Sequence, residues 1–169
     1  MQLPLILKGF NVFADGLNKY GVLMDIKRPK VAYKTEDYTP GGGLGEMTVI
    51  HGIEKLEIEL TSKGYDAELF KSMSHQISGN LLRYQGALHK EDETGAGELV
   101  GEARGRIIEA DPGEDKAGEG GEHKFNYALS YWKETLDGET IAEIDILNNK
   151  FIIGGRDVRA GIRNPFGLI

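Results

Sequence analysis

Residues 123–149 read HKFNYALSYWKETLDGETIAEIDILNN. Large apolar side chains occupy every second position at the start of this stretch, namely Phe125, Tyr127, Leu129 and Tyr131. Alternation of this kind predicts a β-strand with one buried face. Asp137-Gly138 then favours a type I′ turn, and ETIAEID follows as a returning strand. The stretch therefore predicts a β-hairpin, and the segments on its N-terminal side continue the same pattern.

The segment KLEIELTS at residues 55–62 shows the clearest alternation. Its apolar side chains share one face and its polar side chains the other, with Leu56, Ile58 and Leu60 opposed to Glu57, Glu59 and Thr61. Residues 81–90 repeat the pattern with Leu82, Tyr84 and Leu88, and the glycine-rich KEDETGAGE turns the chain back into ELVGEARGRIIEAD. We therefore expect a half-buried strand and a second hairpin.

One segment, residues 64–80, has helical rather than strand periodicity. Asp66 is suited to cap its start and Gly79 to close its end, around an apolar stripe of Leu69, Phe70, Met73 and Ile77. The chain also has 24 glycines among 169 residues, about twice the number expected from average usage near 7%. The order of the predicted strands, helix and hairpins predicts one domain over residues 1–169, a β-sandwich or barrel with one packed α-helix.

Composition excludes several classes of function. The formal net charge is -7, so a general affinity for nucleic acid or anionic membrane has no electrostatic basis. There is no cysteine, which rules out disulfides and thiolate chemistry. The first residues lack the basic leader and long apolar run of a secretion signal, so we expect a cytoplasmic product without a membrane anchor.

Enzymatic and metal-binding motifs are also missing. The four histidines have no metal-ligand spacing, no G-x-S-x-G elbow occurs, and the glycines at residues 41–43 lack the context of a phosphate loop. We expect no catalysis, no metal and no cofactor. Paired carboxylates on the predicted strands leave a glycosidase open, although a solvated sheet face explains them equally well: Glu57, Glu59, Glu143 and Asp145.

Two stretches have no regular pattern and are long for loops inside a compact domain. They are TEDYTPGGGLGEMTVIHG at residues 35–52 and DPGEDKAGEGGEH at residues 111–123. Connections between elements usually run to about 4 to 6 residues. Each stretch therefore has a function of its own or is disordered.

The order of the remaining signals is informative. In sequence they are FNVFADG at 10–16, Pro29-Lys30-Val31, Lys34 to Tyr38, Gly41 to Gly43, Arg104-Gly105-Arg106, Glu109, Asp111 to Glu114, Lys116 to Glu119, Tyr131-Trp132-Lys133, Asp137-Gly138, Glu143 to Asp145, Asn148, Arg163-Asn164 and Gly167-Leu168. This set, which spans nearly the whole chain, resembles the major tail tube protein of contractile-tailed bacteriophages. That FII-like family also supplies the inner tube of R-type pyocins.

The resemblance implies a β-sandwich subunit that closes into hexameric rings, in which hairpin strands from each copy join into a barrel around a lumen. Rings would stack into a rigid tube inside a contractile sheath, with tape-measure and baseplate hub proteins as further partners and DNA only in transit. Such a protein performs no catalysis. It would be assembled in the host cytoplasm and become part of a virion tail or bacteriocin particle.

Three groups of residues become candidates for assembly. The two irregular stretches would contact neighbouring subunits or rings, through Glu36, Asp37, Tyr38, Gly41, Gly42 and Gly43, and through Asp111, Glu114, Asp115, Lys116 and Glu119. Their basic partners on the next copy would be Lys30, Lys34, Arg104 and Arg106. The acidic residues facing the lumen would be Glu57, Glu59, Glu143 and Asp145. A loop at 111–122 that is solvated and contacts nothing is the simpler alternative.

Two other interpretations of the sequence remain open. A type VI secretion tube or an extracellular contractile injection system would use the same fold and hexameric closure. A monomeric β-barrel that binds a small ligand would need an apolar interior cavity with a few convergent polar groups.

Overall fold

The computed structural model describes residues 1–167; Leu168 of the predicted tail pattern lies outside the described residues. The elements are β1 (Ile6–Ala14), β2 (Leu17–Asn18), β3 (Leu23–Lys27), β4 (Tyr33–Tyr38), β5 (Met47–Ile53), β6 (Glu57–Lys63), α1 (Ala67–Lys71), β7 (Asn80–His89), β8 (Ala96–Asp111), β9 (Glu122–Leu136), β10 (Glu139–Asp145), β11 (Lys150–Ile153), β12 (Arg156–Asp157), α2 (Ala160–Arg163) and a 3₁₀ turn (Asn164–Phe166).

The long antiparallel hairpin of β8 and β9 organises the sheet. The other edge of β9 is shared by two strands, because β6 pairs with its first part and β10 with its last part. Between them, the pairing with β8 passes from Arg104 opposite Tyr131 to Gly105 opposite Leu129, which leaves Ser130 as an extra residue. This β-bulge marks the boundary between two halves of the sheet.

We call the two parts the four-stranded half and the eight-stranded half. The four-stranded half runs β3-β6-β9-β8 and uses residues 122–129 of β9 and 105–111 of β8. The eight-stranded half runs β12-β11-β10-β9-β8-β7-β1-β2. A Cβ atom on Gly105 would lie 2.1 Å from the Ala128 carbonyl oxygen. Only glycine therefore allows the two long strands to approach so closely at the bulge.

One hydrophobic core is shared by both halves. Its buried members include most of the apolar positions predicted for three strands and the central residues of β10, among them Leu56, Ile58, Leu60, Leu82, Tyr84, Phe125, Tyr127, Leu129, Trp132 and Ile144. Leu88, also predicted on such a face, is only partly buried. The predicted hairpin turn is also confirmed, since Asp137 and Gly138 both have positive φ angles, as a type I′ turn requires.

The predicted register of β9 is wrong beyond the bulge. Tyr131 was expected to continue the buried face, but the extra residue at Ser130 reverses the alternation, so Trp132 is buried and Tyr131 lies on the outer face. A single inserted residue exchanges the two faces of every position that follows it.

The predicted helix is much shorter than its apolar stripe suggested. Asp66 caps it as expected, with its side chain accepting a hydrogen bond from the Leu69 amide at 3.1 Å. The helix ends at Lys71 instead of Gly79. The Ser72 hydroxyl bonds back to the Leu69 carbonyl at 2.7 Å and the Ser74 hydroxyl accepts from the Gln76 amide at 3.1 Å. Such local side-chain bonds compete with helical ones, and the chain leaves the helix.

The start of α1 is held by a buried ion pair. The Lys19 ammonium lies 3.1 Å from an Asp66 carboxylate oxygen and 2.7 Å from a Glu68 oxygen. Burial alone would lower the pKa of Lys19, but the hydrogen bonds and charges of Glu68 and Asp66 outweigh it, so the pKa is raised above its ordinary value of 10.5. The ammonium therefore stays charged inside the fold.

Residues 35–52 are not irregular as predicted. They belong to an antiparallel hairpin of β4 and β5 that forms its own two-stranded sheet, and we call residues 33–53 the arm. All six residues of β4 are exposed. At its base the Tyr33 ring meets the Phe151 ring edge to face, with centroids 6.1 Å apart. The alternation was missed because the arm has no buried face to reveal it.

Candidate assembly surfaces

The four-stranded half has two free edges. Within residues 1–167, no strand pairs with the outer edge of β3, and β7 pairs with β8 only as far as Gly105. Residues 106–111 of β8 therefore have no strand on this edge, and the chain at residues 73–75 lies beside residues 106–108. Edges of this kind are templates for pairing with another chain. Neither edge was foreseen, because pairing partners distant in sequence leave no local signal.

The predicted acidic loop closes the β8–β9 hairpin, and we call residues 111–122 the acidic tip. Asp111 accepts from the Gly113 amide at 2.9 Å, and the Lys116 carbonyl accepts from the Glu119 amide at 3.1 Å. The tip is tied to the end of β6 by the Gly64 amide, which donates to the Gly121 carbonyl at 2.7 Å. Residues 111–120 are all exposed, so the loop has internal order and presents its side chains outward.

The candidate residues of the arm lie in two places. Glu36, Asp37 and Tyr38 belong to β4, where Glu36 lies 2.8 Å from the His51 ring and Asp37 accepts from the Thr48 hydroxyl at 3.0 Å. The candidate glycines Gly41, Gly42 and Gly43 form the tip, beside the fully exposed Leu44. A two-stranded hairpin is marginally stable by itself in water. An exposed arm of this kind is therefore suited to docking on a neighbour.

The four candidate basic residues are dispersed. Lys30 and Lys34 are exposed at the base of the arm. Arg104 lies on the outer face of the eight-stranded half, opposite Tyr131. Arg106 donates to the His75 carbonyl at 2.8 Å. Among the described residues, none of them forms an ion pair with the acidic tip of its own chain.

The candidate lumen residues divide between the two halves. Glu57 and Glu59 lie on β6, on the face opposite the buried Ile58 and Leu60. Glu57 forms an ion pair with Lys55 at 2.7 Å. The other two candidates, Glu143 and Asp145, lie on β10 of the eight-stranded half.

The β10 candidates are engaged in local contacts. Asp145 accepts from the Asn148 amide at 3.1 Å and from its side-chain nitrogen at 2.7 Å, which closes the turn after β10. Glu143 accepts from the Tyr131 hydroxyl at 3.3 Å and lies 3.4 Å from the Lys150 ammonium. Burial, together with the Glu143 charge and hydrogen bond, raises the pKa of Tyr131 to about 12.

Sequence reasoning also missed a set of hydrogen bonds that connects the arm to the core. The Trp132 indole donates to the Tyr84 hydroxyl at 3.0 Å, and that hydroxyl donates to Glu134 at 3.2 Å. The same carboxylate accepts from Arg28, just before the arm, at 2.8 Å.

No helix within residues 1–167 is long and apolar enough to cross a lipid bilayer.

A sheet half with two edges unpaired within residues 1–167, together with a projecting arm and tip, is typical of a subunit that associates with further copies. More particularly, the chain belongs to the phage tail tube protein FII family, whose model matches residues 4–167. The expectation drawn from the sequence pattern is thereby confirmed.

Named relatives agree with this membership. The chain is 34% identical over 150 residues to the major tail tube protein of Serratia phage KSP20, covering 88% of this chain and 86% of the relative. It is 32% identical over 174 residues to the tail tube protein of Escherichia phage P2, covering 99% of this chain and 100% of the relative.

A solved structure shares the fold. It is a chain of the PVC sheath-tube complex of an extracellular contractile injection system in its extended state. The TM-score is 0.58 at 12% sequence identity, over 78% of this chain and 91% of that one. The predicted mainly β architecture is confirmed by the observed strands and by this likeness.

Proposed function

We propose that this protein is the structural subunit of the inner tube of a contractile phage tail or of a phage-tail-like bacteriocin, and that it has no catalytic role. The observation that carries the proposal is the four-stranded half with both edges unpaired among the described residues. When the β3 edge of one copy pairs with the β8 edge of the next, each copy continues the sheet of its neighbour. Closure of the ring then leaves neither edge of the four-stranded half exposed.

The family suggests six copies in each ring, and the geometry is compatible with an open channel. Six copies would contribute roughly 24 strands, spaced about 4.8 Å apart, which gives a wall roughly 115 Å around. The backbone diameter would then be roughly 37 Å, and strand tilt would widen it. A barrel of this size is too wide for side chains to fill, so a lumen remains.

We propose that the outer face of the four-stranded half lines this lumen, with Glu57 and Glu59 directed into it. Both project from the face of β6 that is opposite the core. Glu143 and Asp145 are better explained by their local contacts with Tyr131, Lys150 and Asn148. Acidic groups in the channel would keep DNA in transit from binding to the wall.

A tube of this kind implies further protein partners. A sheath protein would surround it, a tape-measure protein would set its length, and a baseplate hub would nucleate it. We expect assembly in the host cytoplasm and a final location in the virion tail or bacteriocin particle. We favour a phage or bacteriocin tube over an injection-system tube, because the two named sequence relatives belong to phages.

Electron microscopy of the purified protein at rising concentration, with sedimentation velocity alongside, tests the proposal. We expect rings or stacked tubes with an open central channel. A compact monomer at every concentration, in low and high salt, with molecular crowding and with preformed tube ends added as nuclei, would overturn it. That result would instead favour a ligand-binding monomer, for which the open groove of about 350 Å³ lined by Tyr33, Phe151 and Ile162 is the place to look.

A further inference from the structure

The acidic tip and the base of the arm lie at opposite ends of the same four strands. In the pairing of β6 with β9, Lys63 lies opposite Glu122, next to the tip. At the other end of β6, Glu59 lies opposite Lys27 of β3, from which the chain continues toward the arm. Residues 59–63 of β6 span the distance between these two pairs, about 13 Å, and the tip and the arm continue from them in opposite directions. The tip therefore cannot reach the arm base of its own chain.

Unpaired positive charge collects at the arm base. Lys30 and Lys34 are exposed, and neither has an ion-pair partner in the described part of the chain. Lys27 lies opposite Glu59 and therefore shares the proposed lumen face with it. We call Lys30 and Lys34 the basic collar. Arg28 and Lys55 lie beside them but are already paired, with Glu134 and Glu57.

Unpaired negative charge collects at the acidic tip. The side chains of Glu114, Asp115 and Glu119 are exposed, and residues 1–167 contain no ion-pair partner for them. An open cleft of about 400 Å³ runs below the loop, lined by Asp111, Glu114 and Glu122, with Lys124 also in its wall. The cleft is large enough to admit the side chain of a lysine.

We infer that the acidic tip of one copy docks on the basic collar of another copy of this chain, and that this contact stacks one ring on the next. The inference rests on the proposed tube. Because the two surfaces are different and lie at opposite ends, the contact is head to tail, and repetition of a head-to-tail contact along an axis gives an open filament. The complementary charges fix the direction of stacking and disfavour the head-to-head and tail-to-tail alternatives.

Repetition and salt determine how strong this contact is. A single exposed ion pair contributes little to stability, but every subunit of a ring would form the same set. Exposed pairs are also screened at high ionic strength. Stacking should therefore weaken as salt is raised, while rings closed through backbone hydrogen bonds persist.

A charge exchange tests the inference. One variant carries E114K and E119K in the acidic tip, a second carries K30E and K34E in the collar, and a third combines all four changes. Each change is at an exposed position, and thermal unfolding verifies that the variants fold. E139K at the exposed start of β10 is the control. The measurement is the critical concentration for tube formation, from light scattering and electron microscopy at low salt.

Either double variant should raise the critical concentration by about tenfold, on the scale of a few weak ion pairs per subunit. The critical concentration of the fourfold variant should return to within about twofold of that of the original protein. The E139K variant should have the same critical concentration as the original protein. Double variants that polymerise normally would overturn the inference, as would a fourfold variant with no recovery. If the original protein forms no rings or tubes, the proposed function itself fails; if it does and only the charge exchange fails, the tube stands and this contact does not.

Discussion

The Arg28 guanidinium lies 2.8 Å from the Glu134 carboxylate, and this pair joins the root of the arm to the eight-stranded half of the sheet. Glu134 is largely buried, with 13% of its side chain exposed. Because Glu134 also accepts from Tyr84, and Tyr84 from Trp132, the root of the arm is connected to the core by three hydrogen bonds in series. An arm held in this way can present its tip in a defined direction.

Replacing Arg28 with methionine should loosen the arm more than it destabilises the fold. The change leaves the Glu134 carboxylate without its cation, a loss of about 1 kcal/mol at this half-exposed pair. Limited proteolysis at residues 39–46 should become faster, while denaturant unfolding shifts only slightly. Lys8→Met, which removes the exposed ion pair with Glu91, is the control and should leave cleavage of the arm unchanged. Equal cleavage rates for both variants would contradict this role of Arg28.

Gly101→Ala should destabilise the core. A Cβ atom at this position would lie 1.9 Å from Cζ of the Tyr84 ring, and that ring is held by the hydrogen bond from Trp132. Overpacking of this kind costs about 1–3 kcal/mol, measurable by urea denaturation. Gly9→Ala is the matched control, since nothing lies within 4 Å of its Cβ position. If both variants unfold at the same urea concentration, the close contact is not as described.

Stability should fall at alkaline pH. Burial raises the pKa of Tyr84 and of Tyr127 above the ordinary 10.0, and the pKa of Lys19 is raised above 10.5. In each case the unfolded chain loses its proton at a lower pH than the folded protein. The stabilising contribution is therefore complete below the unfolded pKa and is lost as the pH rises through the folded value.

Urea denaturation from neutral pH to above 10.5 measures this loss. Tyr127→Phe should make the decline shallower, because it removes one buried phenol from the titration. Tyr20→Phe alters a tyrosine that is 76% exposed and should leave the slope unchanged. A stability that is flat over this range would show that the buried groups titrate alike in both states.

A charge at the free edge of β8 should block assembly without harming the fold. Ile108 is the extra residue of a second bulge, is 41% exposed, and lies beyond the last residue that pairs with β7. Ile108→Lys places a charge of the kind that natural edge strands use against pairing. Ring formation should be lost. The free energy of unfolding, measured by thermal denaturation, should stay within about 0.5 kcal/mol of that of the original protein.

Ile141→Lys is the control for this edge. Ile141 is 43% exposed but belongs to β10, which has a partner strand on each side. Rings should form normally with this variant. Loss of rings with both variants would mean that exposed apolar surface, and not the β8 edge, is what assembly requires.

Local patterns predicted the five strands β6 to β10. Alternation located Leu56, Ile58 and Leu60 in the core, and Asp137-Gly138 defined the turn of a hairpin. These features depend on neighbouring residues, so they can be read without knowing the rest of the fold. The helix beginning at Asp66 was also found, although local hydrogen bonds of serine end it early.

Other features depended on contacts between distant segments. The bulge at Ser130 exchanges the faces of Tyr131 and Trp132, and the sequence of that stretch contains no local signal that predicts a bulge. The arm was mistaken for irregular chain because both of its faces are largely exposed. The sequence located the exposed loop at residues 111–122, but it could not say which end of the sheet that loop occupies.

By itself, the sequence determined the class of fold, the positions of the turns and the family, because alternation, turn chemistry and the order of short motifs are local properties of the chain. Only the tertiary structure decided that β3 and the end of β8 are free edges among residues 1–167, and that the acidic tip and the basic collar lie at opposite ends of one half of the sheet. Register and strand neighbours are set by long-range pairing and by packing against a shared core, and these cannot be read from any single segment.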